Sequence, residues 1–207
     1  MIEIIKPMDI EKRSFEIITE LLGDTVLEAE NELVIKRVIH TTADFDYADN
    51  LCFSEHAVQK GIEALRSGCD IVTDTQMARS GINKTVLGRL GGEVRCFMSD
   101  PDVAEEAKAR GVTRAIVSME RAAALDRPCI FAIGNAPTAL IALYDLIKAG
   151  KLVPALIIGV PVGFVNVVES KEQIMTAGVP YIVARGRKGG SNVAAAICNA
   201  MLYQISR

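Results

Sequence analysis

Five short apolar runs recur along the last two-thirds of this chain: Asp70-Ile-Val-Thr73, Val94-Arg-Cys-Phe-Met98, Cys129-Ile-Phe-Ala-Ile133, Ala155-Leu-Ile-Ile-Gly-Val160 and Tyr181-Ile-Val-Ala184. Each is strand length, and a helical stretch separates it from the next. Near-continuous apolar strands need cover on both faces, and strands joined by helical crossovers run parallel. The pattern predicts an α/β fold: a doubly wound, five-stranded parallel sheet in the flavodoxin-like order 2-1-3-4-5. Ligands in such sheets bind beyond the C-terminal strand ends, at the topological switch point. This order puts that point between Asp74-Thr75 and Gly134-Asn135.

Helices are expected from Ser54, a candidate N-cap, to Gly68, over a short region through Gly81, and after Asp100-Pro101. Further ones fall at Arg114 to Leu125, Pro137 to Ala149, Val165 to Ala177 and Ser191 to Ile205. The first fifty residues differ. Asp9 can cap a helix with apolar positions Ile10, Phe15, Ile17, Ile18, Leu21 and Leu22, and a second helix runs from about Leu27 to His40. Residues 41–53, with Asp44, Asp46, Asp49 and Asn50, read as a loop, either irregular throughout or with one extended stretch. The 207 residues are expected to form one domain, with an N-terminal helical layer (1–53) packed on an α/β core (54–207).

A hydrophobic share of 50%, charged residues at 24% and no apolar run near the roughly 20 residues that span a bilayer point away from the membrane. The opening Met-Ile-Glu-Ile-Ile-Lys lacks the basic-then-apolar layout of a secretion signal. A net charge of −3 argues against nucleic acid as a partner, so anion binding must be local. Cys52, Cys69, Cys96, Cys129 and Cys198 form no C-x-x-C pair and read as reduced thiols of a cytoplasmic protein. Two histidines sixteen positions apart supply no metal site.

Three strand–turn–helix junctions carry the chemistry: Ile133-Gly-Asn-Ala-Pro-Thr138, Gly159-Val-Pro-Val-Gly-Phe164 and Arg185-Gly-Arg-Lys-Gly-Gly-Ser-Asn192. Helix starts expose unpaired N–H groups and suit anions. The last turn adds Arg185, Arg187 and Lys188, yet it fits neither G-x-x-x-x-G-K-[ST] nor G-x-G-x-x-G. Each junction is either an anion cradle or an ordinary βα turn. On the second helix, Leu33, Arg37 and His40 share one stripe, with Val34, Ile35, Val38 and Ile39 on the other side. His40 sits near the helix C-terminus, where the macrodipole favours a cation, and suits a general acid; the alternative is a partly exposed surface histidine. Ser14 lies on the apolar stripe of the first helix and can meet a ligand or bond back to its own backbone. His56, Glu169 and Lys171 read as structural or surface residues.

Several phrases, in order along the chain, together resemble the precorrin-8X methylmutase family of corrin biosynthesis. They are Lys12-Arg-Ser-Phe-Glu-Ile-Ile18, Val38-Ile-His-Thr41, Gly134-Asn-Ala-Pro-Thr-Ala-Leu140, Pro161-Val-Gly-Phe-Val165 with Glu169-Ser-Lys171, and Arg185-Gly-Arg-Lys-Gly-Gly-Ser191. The wording after His40, Thr-Thr-Ala-Asp-Phe-Asp-Tyr, looks closer to the cobalt-precorrin-8 branch. The resemblance implies an isomerase that moves a methyl group from C-11 to C-12 of the macrocycle, and a homodimer or other homo-oligomer. It implies His40 as the acid that protonates the ring, with Ser14, Arg37 and Arg114 matching substrate-contacting positions.

A flat apolar ring fringed with carboxylates needs dispersed anion holders, and Thr75, Gly134, Asn135, Arg185, Lys188, Gly189, Gly190 and Ser191 are the candidates at the sheet edge. A concerted methyl shift needs no protein-bound metal or cofactor; cobalt, where present, belongs to the substrate. Two competing readings are a non-catalytic corrinoid carrier and a nucleotide- or phosphosugar-binding α/β domain.

Overall fold

All five apolar runs form strands, and a sixth joins them. The structure, a computed structural model, describes Lys6 and residues 9–206, so most of the opening Met-Ile-Glu-Ile-Ile-Lys lies outside the described residues. In chain order the elements are α1 (Ile10–Leu22), α2 (Glu32–Thr42), α3 (Tyr47–Asn50), β1 (Leu51–Phe53), α4 (Ala57–Arg66) and β2 (Asp70–Thr73). Next come α5 (Gln76–Gly81), α6 (Lys84–Arg89), β3 (Val94–Arg95), α7 (Pro101–Arg110), α8 (Arg114–Ala123) and β4 (Cys129–Ile133). The chain closes with α9 (Pro137–Lys148), β5 (Leu156–Gly159), α10 (Val167–Met175), β6 (Tyr181–Ala184) and α11 (Ser191–Ser206).

The sheet order is β1-β6-β5-β4-β2-β3. Strands β2 to β6 run parallel; β1 lies antiparallel on the outer edge of β6, with Leu51 opposite Ala184 and Phe53 opposite Ile182. The sheet therefore has six strands rather than five, and the expected loop over 41–53 holds a one-turn helix and this edge strand. Helix α2 starts five residues later than its pattern predicts. Ser54 is no helix cap either: its Oγ accepts from the Tyr181 N–H at 2.9 Å, pinning the end of β1 to β6.

Every residue of β2, β4 and β5 is buried. Their side chains alternate between two cores, as the pleat requires. Ile71, Ile130, Leu156 and Ile158 join a cluster under α2, α4, α5 and α11. Val72, Phe131, Ile133 and Ile157 join another under α8, α9 and α10. Helix α11 is buried along most of its length because the N-terminal helices cover it. Val34, Ile35, Val38 and Ile39 of α2 supply much of that cover, about 1.5–3 kcal/mol apiece relative to exposure. This stacking turns the opposite stripe of α2, with Leu33 and His40, to the surface.

Candidate functional site

At the C-terminal edge of the sheet the turns following β2, β4, β5 and β6 touch one another. Thr75 caps α5, its Oγ1 accepting from Ala78 N–H at 3.0 Å, and the same oxygen meets Ser191 Oγ at 2.7 Å. Gly134 packs directly beneath: a Cβ there would lie 2.7 Å from Ser191 Cα and 2.8 Å from Gly190 O. A Cβ on Gly189 would sit 2.1 Å from Val160 O, and Gly190 N–H donates to that same carbonyl at 2.9 Å. Thr75, Gly134, Gly189, Gly190 and Ser191 are thus brought together, and Asn135 follows as an exposed neighbour. Glycine at 134 and 189 is required by the close passage of one turn over another.

The sequence reading missed the residue that organises this edge. Asp74, fully buried just past β2, accepts three peptide N–H groups: Gly134 at 2.9 Å, Asn135 at 2.8 Å and Ala136 at 2.6 Å. Burial pushes its carboxyl upward, and the three N–H groups pull against that. The start of α9, which read as either an anion cradle or an ordinary βα turn, already holds the chain's own carboxylate. An acid just past a strand-length run, one residue before the helix cap Thr75, was the available signal.

The basic residues of the last turn are also engaged. Lys188 Nζ lies 2.6 Å from both Asp44 and Asp46, so these two acids of the loop are paired here. Lys188 holds the Asp44 carboxyl below its ordinary range and is itself raised by the two acids. Arg185 binds Glu172 of α10 at 3.0 Å. Arg187 donates to Phe164 O at 3.1 Å and lies over that ring. Lys171, expected on the surface, is fully buried and donates to Gly186 O and Lys188 O at 2.8 Å each. Arg114 is exposed one junction further along, with its Nη1 on Met98 O at 3.3 Å; its neighbour Thr113 meets Thr138 at the start of α9.

A second group gathers on α1 and α2. Arg37 makes a two-pronged pair with Glu11 at 2.9 and 3.1 Å and lies between the rings of Phe15 and Tyr203, 4.8 and 5.1 Å from their centroids. His40 is exposed, its ring 5.8 Å from that of Phe15. Ser14 Oγ donates to Ile10 O at 2.8 Å, the backbone alternative among its two expected roles. Along α2, Arg37 reaches Tyr203 near the end of α11, while Asp44 and Asp46 reach Lys188 just before its start. His40 stands between these two tethers. Asp44 and Asp46, a few residues after His40, thus meet Lys188 of the glycine-rich turn.

Cys69, Cys96, Cys129 and Cys198 are buried, Cys52 is half-buried, and all five are free. Burial pushes Cys69 up to about 12 and Cys129 to about 11, leaving both thiols protonated and inert near neutrality. Among the described residues no three His, Cys, Asp or Glu side chains come together as metal ligands, and no helix is long and apolar enough to cross a membrane.

Comparison with known proteins extends the motif evidence over the whole chain. The cobalt-precorrin-8 methylmutase of Priestia megaterium is 48% identical over 197 residues, covering 95% of this chain and 88% of the relative. The Salmonella typhimurium protein of the same name is 47% identical over 97% of this chain and 96% of its own length. The crystal structure of a Thermus thermophilus precorrin-8x methyl mutase superposes with a TM-score of 0.87 at 39% identity, covering 96% of this chain and 98% of that one. The family model for precorrin-8X methylmutase matches residues 9–204, and the chain belongs to that family.

Proposed function

We propose that this isomerase of cobalamin biosynthesis acts on cobalt-precorrin-8, moving a methyl group from C-11 to C-12 of the macrocycle, with His40 as the acid that protonates the ring. The single observation that carries the role of His40 is its placement: an exposed imidazole in the last turn of α2, beside the Arg37–Phe15 stack and one tether away from the glycine-rich edge. An aromatic ring flanking the imidazole gives the apolar wall that a flat macrocycle needs. Proton transfer from a positioned side chain contributes about 10²–10⁴-fold to such a step, and enclosure fixes the migrating group relative to its destination. Thr75, Gly134, Asn135, Lys188, Gly189, Gly190 and Ser191 form the wall where the ring's carboxylates are received, with Ser14, Arg37, Arg114 and Arg185 around it.

The substrate brings its own cobalt, and the reaction uses no resident cofactor. The parallel strands β2 to β6 are read as a flavodoxin-like core extended by β1. A cytoplasmic location agrees with five free thiols. A homo-oligomer agrees with the apolar residues exposed along α1 and α2, Ile10, Ile17, Leu21 and Leu33.

His40→Ala tests the mechanism. The variant is expected to keep the fold, because the side chain is exposed, to bind the product corrinoid, and to lose turnover by at least 10²-fold. Turnover within a few-fold of the parent would remove His40 from the chemistry. Product binding in the parent without any isomerisation would favour a carrier instead.

A further inference from the structure

Lys171 is the residue whose chemistry the site described above does not use. It lies midway along α10, is fully buried, and among the described residues no carboxylate pairs with it. Desolvation pulls its ammonium down to about 8. Burying a lysine without a countercharge is costly, so its two hydrogen bonds call for a reason. Both go to one turn: Gly186 O and Lys188 O, at 2.8 Å each.

The consequence follows from peptide geometry. In a trans peptide the N–H points opposite to the carbonyl of the preceding residue, and the chain contains no cis bond among its described residues. Drawing Gly186 O and Lys188 O onto one ammonium turns the N–H groups of Arg187 and Gly189 to the opposite, outer side of the turn. The intervening Arg187 O accepts from Gly163 N–H at 3.2 Å, and Gly190 N–H is held by Val160 O at 2.9 Å. The turn is thereby fixed at four points, while among the described residues no acceptor takes the Arg187 or Gly189 N–H. Two like-directed peptide N–H groups without an internal acceptor suit an anion.

We propose that Lys171 is a positioning residue: from inside the protein it presents the peptide N–H groups of Arg187 and Gly189 outward to receive one carboxylate of the macrocycle. This rests on the reading that the Arg185–Ser191 turn faces the substrate's carboxylates. It adds a buried residue that touches no substrate, and it moves recognition from the paired side chain of Lys188 to the backbone.

The test uses the full chain and the product, a cobyrinic acid corrinoid, followed by its visible spectrum. Lys171→Met keeps the length and removes both hydrogen bonds. It is expected to weaken product binding tenfold or more and to raise KM similarly, with kcat within about threefold, because His40 is untouched. Ile174→Val, a small packing loss on the same helix, is expected to lower stability while leaving the dissociation constant unchanged; this separates positioning from simple loosening. A folded Lys171→Met protein with parental affinity and KM overturns the proposal.

If Lys171→Met does not fold, the parent protein decides by amide hydrogen exchange. Arg187 and Gly189 should exchange freely alone and become protected by product; unchanged exchange at both overturns the proposal. Lys188→Ala tests the underlying reading separately. Weaker binding there with none in Lys171→Met sinks only the role of Lys171. Parental affinity in both variants, with no protection of the turn, sinks the reading as well.

Discussion

Replacing Gly134 with alanine puts a methyl group in place of a hydrogen at a crowded point of the sheet edge. The new Cβ would stand 2.7 Å from Ser191 Cα and 2.8 Å from both Ser191 N and Gly190 O, all of them backbone atoms that cannot swing aside. Carbon contacts are comfortable near 3.5–4.0 Å, so the β4–α9 and β6–α11 turns must separate by most of an ångström. Such overpacking costs about 1–3 kcal/mol. Separation also stretches the 2.7 Å contact between Thr75 and Ser191, a further loss of about 0.5–1.5 kcal/mol. Against this, Gly134 does not occupy a positive φ, so alanine restricts the unfolded chain and returns about 0.4–1 kcal/mol. The net expectation is a destabilisation of about 2 kcal/mol, read as a urea midpoint lower by about 1 M for a slope near 2 kcal/mol per molar.

Gly88→Ala is the matched control. Gly88 lies in α6 with open space around its Cβ position, and alanine there should raise stability by about 0.5–1 kcal/mol. Corrinoid affinity should fall for Gly134→Ala and hold for Gly88→Ala. If Gly134→Ala unfolds at or above the parental midpoint, the two turns are not in contact as described, and the construction of the edge is refuted.

Asp74→Asn should destabilise by about 2–4 kcal/mol, since an amide offers one acceptor oxygen and a clashing NH₂ to three peptide donors; thermal unfolding checks it, and an unchanged midpoint would deny that Asp74 caps α9. The Asp44–Lys188 pair is solvent-screened and should contribute only a little to stability. Because Lys188 depresses the Asp44 carboxyl in the folded state, that contribution is present above the ordinary carboxylate value near 3.8 and fades as pH falls below it; Asp44→Asn should erase this part of the acid dependence in a pH series of unfolding curves.

The strands could be read from sequence because burial on both faces writes itself as an unbroken apolar run, as in Cys129–Ile133. Of edge strand β1 only an extended stretch somewhere in 41–53 was legible: Leu51-Cys-Phe is three residues long and half-covered, and its hydrogen bonds to β6 are a tertiary fact. Helix α6, with its single buried Leu87, likewise leaves no apolar stripe to find. The stripe bearing Arg37 and His40 was legible because a helix fixes neighbours at three and four residues. What those neighbours face was not: Glu11, twenty-six positions earlier, claims Arg37. Lys171 was misplaced for a related reason, since a lysine is buried only where carbonyls from a distant segment converge on it, and Gly186 and Lys188 are known to converge only once α10 is packed beside β6.

These hidden pairings bear directly on how a polyanion is recognised by a chain of net charge −3. Free cations clustered at one edge would repel each other and lower stability before any ligand arrived. Here the β4–α9 junction is filled by Asp74, Lys188 by Asp44 and Asp46, Arg185 by Glu172, and Arg37 by Glu11. A substrate carboxylate that reaches any of these side chains replaces an acid already there, and exchanging one carboxylate for another yields little net electrostatic gain. Affinity on the proposed reading must therefore come from donors that have no internal acid and from contact with the flat face of the ring. The outward peptide N–H groups of the last turn and the Phe15–His40 wall meet those two requirements. A ligand with the right charges but no macrocycle satisfies neither the spacing nor the stacking, so the pairings discriminate against small anions while the ring supplies the surplus that displaces them.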